Sequence, residues 1–166
     1  MRRSDDPLRG ALTVVRPATA DDAGRLYDWH ADPEVARYWD DQILTRAEIL
    51  DELADPNVDA YIVEADDAPV GYLQAWFDGE ADAGGLDMFL IPSARGRGLG
   101  PDAARALARH LLTAGFERIT VDPYLWNERA IRAWTRAGFR PVEEREPDGD
   151  HGRPWVLMLF DPAVLD

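Results

Sequence analysis

The sequence predicts an α/β (α+β) fold, a mixed sheet flanked by helices, from three observations: a length of 166 residues, a hydrophobic content of 46% with 10% aromatic residues, and apolar runs that switch between strand and helix spacing in the order β-α-α-β-β-β-α-β-α-β-β. The length suits one domain spanning residues 1–166, on the usual scale of about 100 to 200 residues per domain. The composition is enough to bury a core, which rules out a disordered chain.

Leu12–Pro17 reads as a first strand stopped by its proline. Thr19 to Asp22 has the form of a capping box before a helix whose inner face carries Leu26, Trp29 and His30, ending near Asp32-Pro33. Thr45 to Glu48 is a second such box, opening a helix with Ile49, Leu50 and Leu53 that closes at Asp55-Pro56. Ala60–Glu64 and Val70–Phe77, joined by the polar turn 66–69, form an antiparallel hairpin. Residues 78–85 read as a loop, and Leu86–Ile91 as the next strand, its apolar run broken only by Asp87. A Gly/Arg-rich turn over 92–100 leads to a helix with Pro101 at its first position, running to about Ala114 with Leu107, Leu111 and Leu112 inward. Ile119–Val121 is a short strand. Asn127 caps a last helix with Ile131 and Trp134 inside and Gly138 as its stop, and two strands, Arg140–Glu146 and Pro154–Phe160, close the chain.

Charge and missing residue types exclude several functions. The net charge of −14 repels nucleic-acid phosphates and anionic membranes, so neither is an expected partner. All 18 basic residues are Arg, which excludes a lysine phosphate loop and Schiff-base chemistry. With no Cys there is no thiolate, disulfide or zinc–sulfur site. His30, His110 and His151 lie far apart in sequence without ligand spacing, so no metal is expected. No membrane span or secretion signal is visible, and a cytoplasmic protein is the expectation. Nothing sets an oligomeric state.

The strongest local signal is Arg95-Gly96-Arg97-Gly98-Leu99-Gly100, between an apolar strand and a helix. Glycines let backbone N–H groups approach an anion, the helix N-terminus adds partial positive charge, and arginines add donors. The turn is suited to phosphate. A dinucleotide turn fits less well, because the spacing is GxGxG and not GxGxxG.

Here the chain resembles the GNAT superfamily of acetyltransferases. Arg95-x-x-Gly98-x-Gly100 matches its pyrophosphate-binding motif, and Asn127-Glu-Arg-Ala-Ile131 with Trp134 and Ala137-Gly138-Phe139 is similar to its second motif. The resemblance implies a GNAT-like domain whose mixed sheet is mostly antiparallel. Gly71–Gln74, Gly85–Asp87, Val121–Pro123, Asn127 and Pro147–Gly149 together resemble the aminoglycoside 6′-N-acetyltransferases, whose siderophore-precursor relatives share much of the pattern.

By that resemblance acetyl-coenzyme A is the co-substrate, bound between the predicted strands 86–91 and 119–121. The backbone of Met88, Phe89 and Leu90 would pair with its pantetheine arm, Arg95, Gly96, Arg97, Gly98, Leu99 and Gly100 would wrap its pyrophosphate, and Asn127 would approach from the other wall. The acceptor would be a primary amine of a polycationic small molecule. Asp87 is the catalytic candidate, because a lone acid in an apolar strand needs a partner or a task. Its alternative is an outward-facing strand residue. Burial must raise its pKa, or a water must relay the proton, for it to serve as a base. The expected acceptor contacts are Tyr38 and Trp39 as a flat wall, Gln74, and the acids Asp82, Asp87, Asp122 and Asp148; Asp78, Glu80 and Asp150 lie in the same rimming loops. Trp76, Trp134 and Trp155 read as core, and Trp126 fits either role.

Trp134 stands where the superfamily has a tyrosine, and indole cannot titrate, so Tyr124 or solvent must protonate the departing thiolate. A siderophore precursor or polyamine as acceptor, and an acyl-coenzyme A sensor without turnover, are the competing readings.

Overall fold

The computed structural model describes residues 3–79 and 83–166. Its strands are β1 (Leu8–Arg9), β2 (Val14–Pro17), β3 (Val58–Ala65), β4 (Ala68–Trp76), β5 (Ala83–Leu90), β6 (Arg118–Val121), β7 (Phe139–Arg145) and β8 (Trp155–Phe160). The helices are α1 (Ala23–Ala31), α2 (Pro33–Ala36), α3 (Arg46–Ala54), α4 (Leu99–Thr113) and α5 (Glu128–Ala137). All strands join one eight-stranded sheet in the order β1-β2-β3-β4-β5-β6-β8-β7. Among the described residues only the β5–β6 pair is parallel. The α+β, mostly antiparallel expectation therefore holds.

Both faces of the sheet are covered. Leu107 and Leu111 of α4, with Ala103 and Ala104, pack on Leu73, Leu86 and Val63. On the other face Leu26 of α1 and Ile49 of α3 pack on Ile62, Tyr72 and Phe89. Fully burying each such leucine or isoleucine stabilises the fold by about 1.5–3 kcal/mol. Both capping boxes form, at Thr19/Asp22 and Thr45/Glu48. Leu50, expected on an inner face, is exposed, because Ile49 and Leu53 already fill the stripe of α3.

Several boundaries differ from the sequence expectation. β1 and α2 were not foreseen: β1 has two residues, and α2 is a single turn started by Pro33 and capped by the Asp32 carboxylate. α4 starts at Leu99, ahead of Pro101. β5 starts at Ala83 within the expected loop, because Gly84 and Gly85 are there for close approach and not for a turn. A Cβ on Gly85 would lie 2.2 Å from the Trp76 ring, and one on Gly84 2.9 Å from Phe77.

Asp102 in the first turn of α4 fastens the chain start to the sheet. Its carboxylate accepts from the N–H groups of Ala11, Leu12 and Thr13 and from the Thr13 hydroxyl, at 2.7–3.0 Å. This clasp ties the N-terminus of α4 to the turn between β1 and β2.

The sheet opens where β5 meets β6. β5 pairs with β4 from Gly85 to Leu90, but with β6 only over Ala83–Gly85. Beyond Gly85 the β6 side of β5 has no strand partner, so its backbone polar groups face a cleft.

Candidate active site

The cleft has a volume of about 1180 Å³, larger than the roughly 300–1,000 Å³ common for one small ligand. It is lined from β5 by Asp87, Met88, Phe89 and Leu90, from the turn before α4 by Arg95, Gly96 and Gly98, from the start of α4 by Leu99 and Gly100, and from the far wall by Asp122, Tyr124 and Asn127. The sequence-predicted residues thus converge in one place, with the exceptions given below.

One end is acidic. Asp87 stands opposite Gln74 across the β4–β5 ladder, and the Gln74 Nε2 donates to Asp87 Oδ2 at 3.1 Å. The Tyr72 hydroxyl donates to Gln74 Oε1 at 2.8 Å, which fixes the amide. Alternation puts these three side chains on the Phe89 face of the sheet. Burial pushes the Asp87 carboxyl up to about 7, helped by the Asp122 charge and opposed by the Gln74 bond, with Glu52 and Asp40 adding smaller pushes upward. Asp87 therefore does not face outward into solvent, and it has the basicity a proton acceptor needs near neutral pH.

Asp122 follows β6 and is not an isolated anchor. Its Oδ2 lies 2.7 Å from Nε2 of His151, and Nδ1 of the same ring lies 2.9 Å from Asp148 Oδ1. The imidazole stacks on Trp155, with ring centroids 4.0 Å apart. Asp148 departs from expectation. Its Oδ1 is occupied by the N–H groups of Asp150 and His151 as well as by the ring, and Asp150 and His151, not Asp148, line the cleft. Asp82, like Glu80, lies outside the described residues.

The other end is cationic. Gly98 precedes α4 with φ 76°, and Gly96 has φ 79°, the left-handed region that favours glycine. The first N–H groups of α4 have no carbonyl one turn earlier and point along a positive helix end. Open space surrounds Gly96, and the nearest side-chain atom to a Cβ on Gly98 would be the Arg136 guanidinium at 4.0 Å. The turn can therefore take an anion. The Arg95 guanidinium is partly committed, donating to the carbonyls of Leu90 and Glu34 at 3.2 and 2.7 Å. Arg97 points elsewhere: it pairs with Asp66 at 2.7 Å and does not line the cleft, so only its backbone remains for a ligand.

Sequence reading missed the cations that replace it. Arg129, Arg132 and Arg136 of α5 line the cleft, and their helical spacing is the signal that could have found them. Asn127 both lines the cleft and caps α5, its Oδ1 accepting from Ala130 N at 3.1 Å.

Tyr38 and Trp39 both line the cleft, with different neighbours. Tyr38 stacks on Trp126 and is flanked by Arg37, Arg95 and Arg129, toward the cationic end. Trp39 meets Tyr72 and Phe89 edge-on, near the acids. The Tyr124 hydroxyl donates to Asp40 Oδ1 at 2.7 Å, and burial with that bond pushes it up to about 12, so it keeps its proton. Trp134 and Trp155 are buried as expected, whereas Trp76, also read as core, is half-buried at the end of β4 and lines the cleft. Among the described residues no cluster of three or more His, Asp or Glu could hold a metal, and no helix is long and apolar enough to cross a membrane.

Comparison with known proteins adds to this geometry. The acetyltransferase (GNAT) domain model matches residues 18–146. Aminoglycoside N(6′)-acetyltransferase type 1 of Klebsiella pneumoniae is 31% identical over 167 residues, covering 88% of this chain and 81% of that protein. The same-named protein of Serratia marcescens matches equally. The solved structure of AAC(6′)-Ib with ribostamycin and coenzyme A has a TM-score of 0.80 at 28% identity, covering 93% of this chain and 96% of that one. AAC(6′)-Ib with kanamycin and coenzyme A has a TM-score of 0.79 at 28% identity, covering 92% and 96%.

Proposed function

The chain belongs to the acetyltransferase (GNAT) domain family, and from that premise we propose that its cleft transfers an acetyl group from acetyl-coenzyme A to a primary amine of an aminoglycoside, the 6′-amine. The observation that carries the reading is the charge division of one cleft about β5. The Gly96–Gly100 turn and the arginines of α5 suit a diphosphate, and Asp87 and Asp122 suit an ammonium. The curated relatives matching most of this chain are aminoglycoside N(6′)-acetyltransferases, which supports the choice of acceptor.

Acetyl-coenzyme A supplies an electrophilic thioester carbonyl when bound. The residues of the chain do the rest. Backbone N–H groups of the turn and of the first α4 residues hold the diphosphate, with Arg136 and Arg132 nearby. The β6-side backbone edge of Met88 and Phe89 aligns the pantetheine arm and polarises the carbonyl oxygen, beside the Leu90 carbonyl that Arg95 holds. Asn127 closes the far wall. Asp122 attracts the acceptor ammonium, while Gln74 and Trp39 shape the space around it, and Tyr38 lies toward the diphosphate end.

An aliphatic amine of pKa about 10.4 is neutral in only about one molecule in a few thousand at pH 7. Asp87, with its raised pKa, takes the proton that frees the nitrogen lone pair. Tyr124 holds its proton on Asp40, so solvent protonates the leaving sulfur. A cytoplasmic setting suits the co-substrate.

The test is thiol release from acetyl-coenzyme A with a panel of aminoglycosides, polyamines and hydroxylated amines. Aminoglycosides bearing a 6′-amine are expected to turn over fastest. Release only with a hydroxylated amine or polyamine would move the acceptor assignment, and tight coenzyme binding with no release would make the protein a sensor.

A further inference from the structure

We propose that His151 is an internal substitute for the acceptor ammonium: its imidazolium holds Asp122 in the free enzyme, and acceptor binding expels a proton from the ring. The inference rests on the amine-acetyltransferase reading and concerns a residue in which the sequence shows no function.

Both ring nitrogens face carboxylate oxygens, Nε2 toward Asp122 at 2.7 Å and Nδ1 toward Asp148 at 2.9 Å. A neutral imidazole has one N–H and one lone pair, so one of those contacts would set a lone pair against a carboxylate. Only the imidazolium satisfies both. The Trp155 face beneath the ring favours a cation as well. Burial alone would lower the ring's pKa, but Asp122 and Asp148 outweigh it and raise it. The other groups about the ring are the Tyr124 edge at 6.1 Å, itself bonded to Asp40, and Asp150 in the same loop. The Arg145 guanidinium lies over the Trp155 ring, 5.3 Å from its centroid.

The two carboxylates are not equivalent. Asp148 is tied into its own turn, whereas Asp122 and His151 line the cleft. An ammonium arriving at Asp122 competes with Nε2–H. The balanced exchange breaks the Nε2–H bond and sends the proton to solvent. The electron pair stays on Nε2, where it accepts an N–H from the ammonium, and Nδ1–H remains on Asp148. Acceptor affinity then falls as pH drops through the ring's pKa. His151 is a positioning residue: it acts through Asp122 and the Nε2 contact to the ammonium, and it takes no proton in the acetyl transfer.

Two measurements test this on the coenzyme A-bound enzyme. Ring NMR of labelled histidine, assigned with His151→Gln, reads the titration with no acceptor present. His151 is expected above the ordinary value of about 6.5, lower in Asp122→Asn, and lower again on saturation with kanamycin. Calorimetry with kanamycin then compares variants. His151→Gln is expected to bind roughly tenfold tighter than the parent at about pH 6, with the difference closing at alkaline pH. His151→Lys, a permanent cation, is expected to bind more weakly throughout. Any pH slope remaining in the glutamine variant belongs to Asp87 or to the amines of kanamycin itself.

A ring titrating at or below the ordinary value, a ring unmoved by bound kanamycin, or equal weakening by Gln and Lys would overturn the proposal. Thiol release judges the acetyltransferase reading separately. Release with an ordinary His151 titration sinks only this inference. A raised, Asp122-dependent titration without release from any aminoglycoside sustains the His151–Asp122 pairing and sinks the acceptor assignment.

Discussion

Gln74 and Asp87 face each other across β4 and β5, with the amide Nε2 3.1 Å from the carboxylate Oδ2 and the Tyr72 hydroxyl holding the amide from behind. A donor to the ionised form favours it, so Gln74 restrains the upward push from burial and Asp122. Gln74→Leu removes the donor at nearly constant size. The acid limb of the pH profile of kcat/KM is expected to move to higher pH, and a limb that stays in place would separate Gln74 from the basicity of Asp87.

Asp87 must be ionised to accept a proton, so activity should rise with pH through about 7 and fall about tenfold for each unit below it. Asp87→Ala and Asp87→Asn are each expected to lower turnover at least tenfold and to abolish that limb. Coenzyme A affinity, read by calorimetry, should be nearly unchanged, because the diphosphate turn lies on the other side of β5. Equal turnover in the alanine variant would remove Asp87 from the mechanism.

Gly98 starts α4 with φ 76° and has no close neighbour, so a methyl group there meets strain and not a clash. A non-glycine residue in that region costs about 1–2 kcal/mol. Relaxing the turn would pull its N–H groups away from a bound diphosphate. Gly98→Ala is expected to weaken coenzyme A binding by about tenfold, with the acceptor KM unchanged at saturating coenzyme. Undiminished affinity would show that the diphosphate is held elsewhere.

What could be read from the sequence depended on how far apart the interacting groups are along the chain. Asp87 interrupts an apolar run, and the Gly/Arg turn is contiguous, so both could be read locally. The arginines of α5 repeat at helical spacing, but spacing alone does not say that their face meets the cleft. His151 gains its meaning from Asp122, which is 29 positions away in the chain. Arg97 fits the motif by sequence, yet a nearby partner, Asp66 at the β3–β4 turn, takes its side chain. The start of β5 was hidden because Gly84 and Gly85 have turn-like composition, and their reason for being there is the bulk of Phe77 and Trp76 across the sheet. β1 has only two residues, too few to show a period, and exists through its pairing with Val14 and Val15.

Asp102 provides a stability test independent of the chemistry. Burial pushes its carboxyl up, but the Thr13 hydroxyl and the N–H groups of Leu12, Ala11 and Thr13 outweigh this and hold it below the usual carboxylate range. Asp102→Ala leaves those donors without their acceptor, at a cost of about 3 kcal/mol. The sign with pH follows from the lowered folded value. The stabilisation is complete above the unfolded pKa of about 3.9 and is lost as pH falls from there through the folded value. Urea unfolding near neutral pH should therefore separate wild type and variant widely, and at about pH 3 the gap should narrow. A gap of equal size at both pH values would show that packing around Thr13 and Gly10, and not the charged acceptor, fastens the N-terminus to α4.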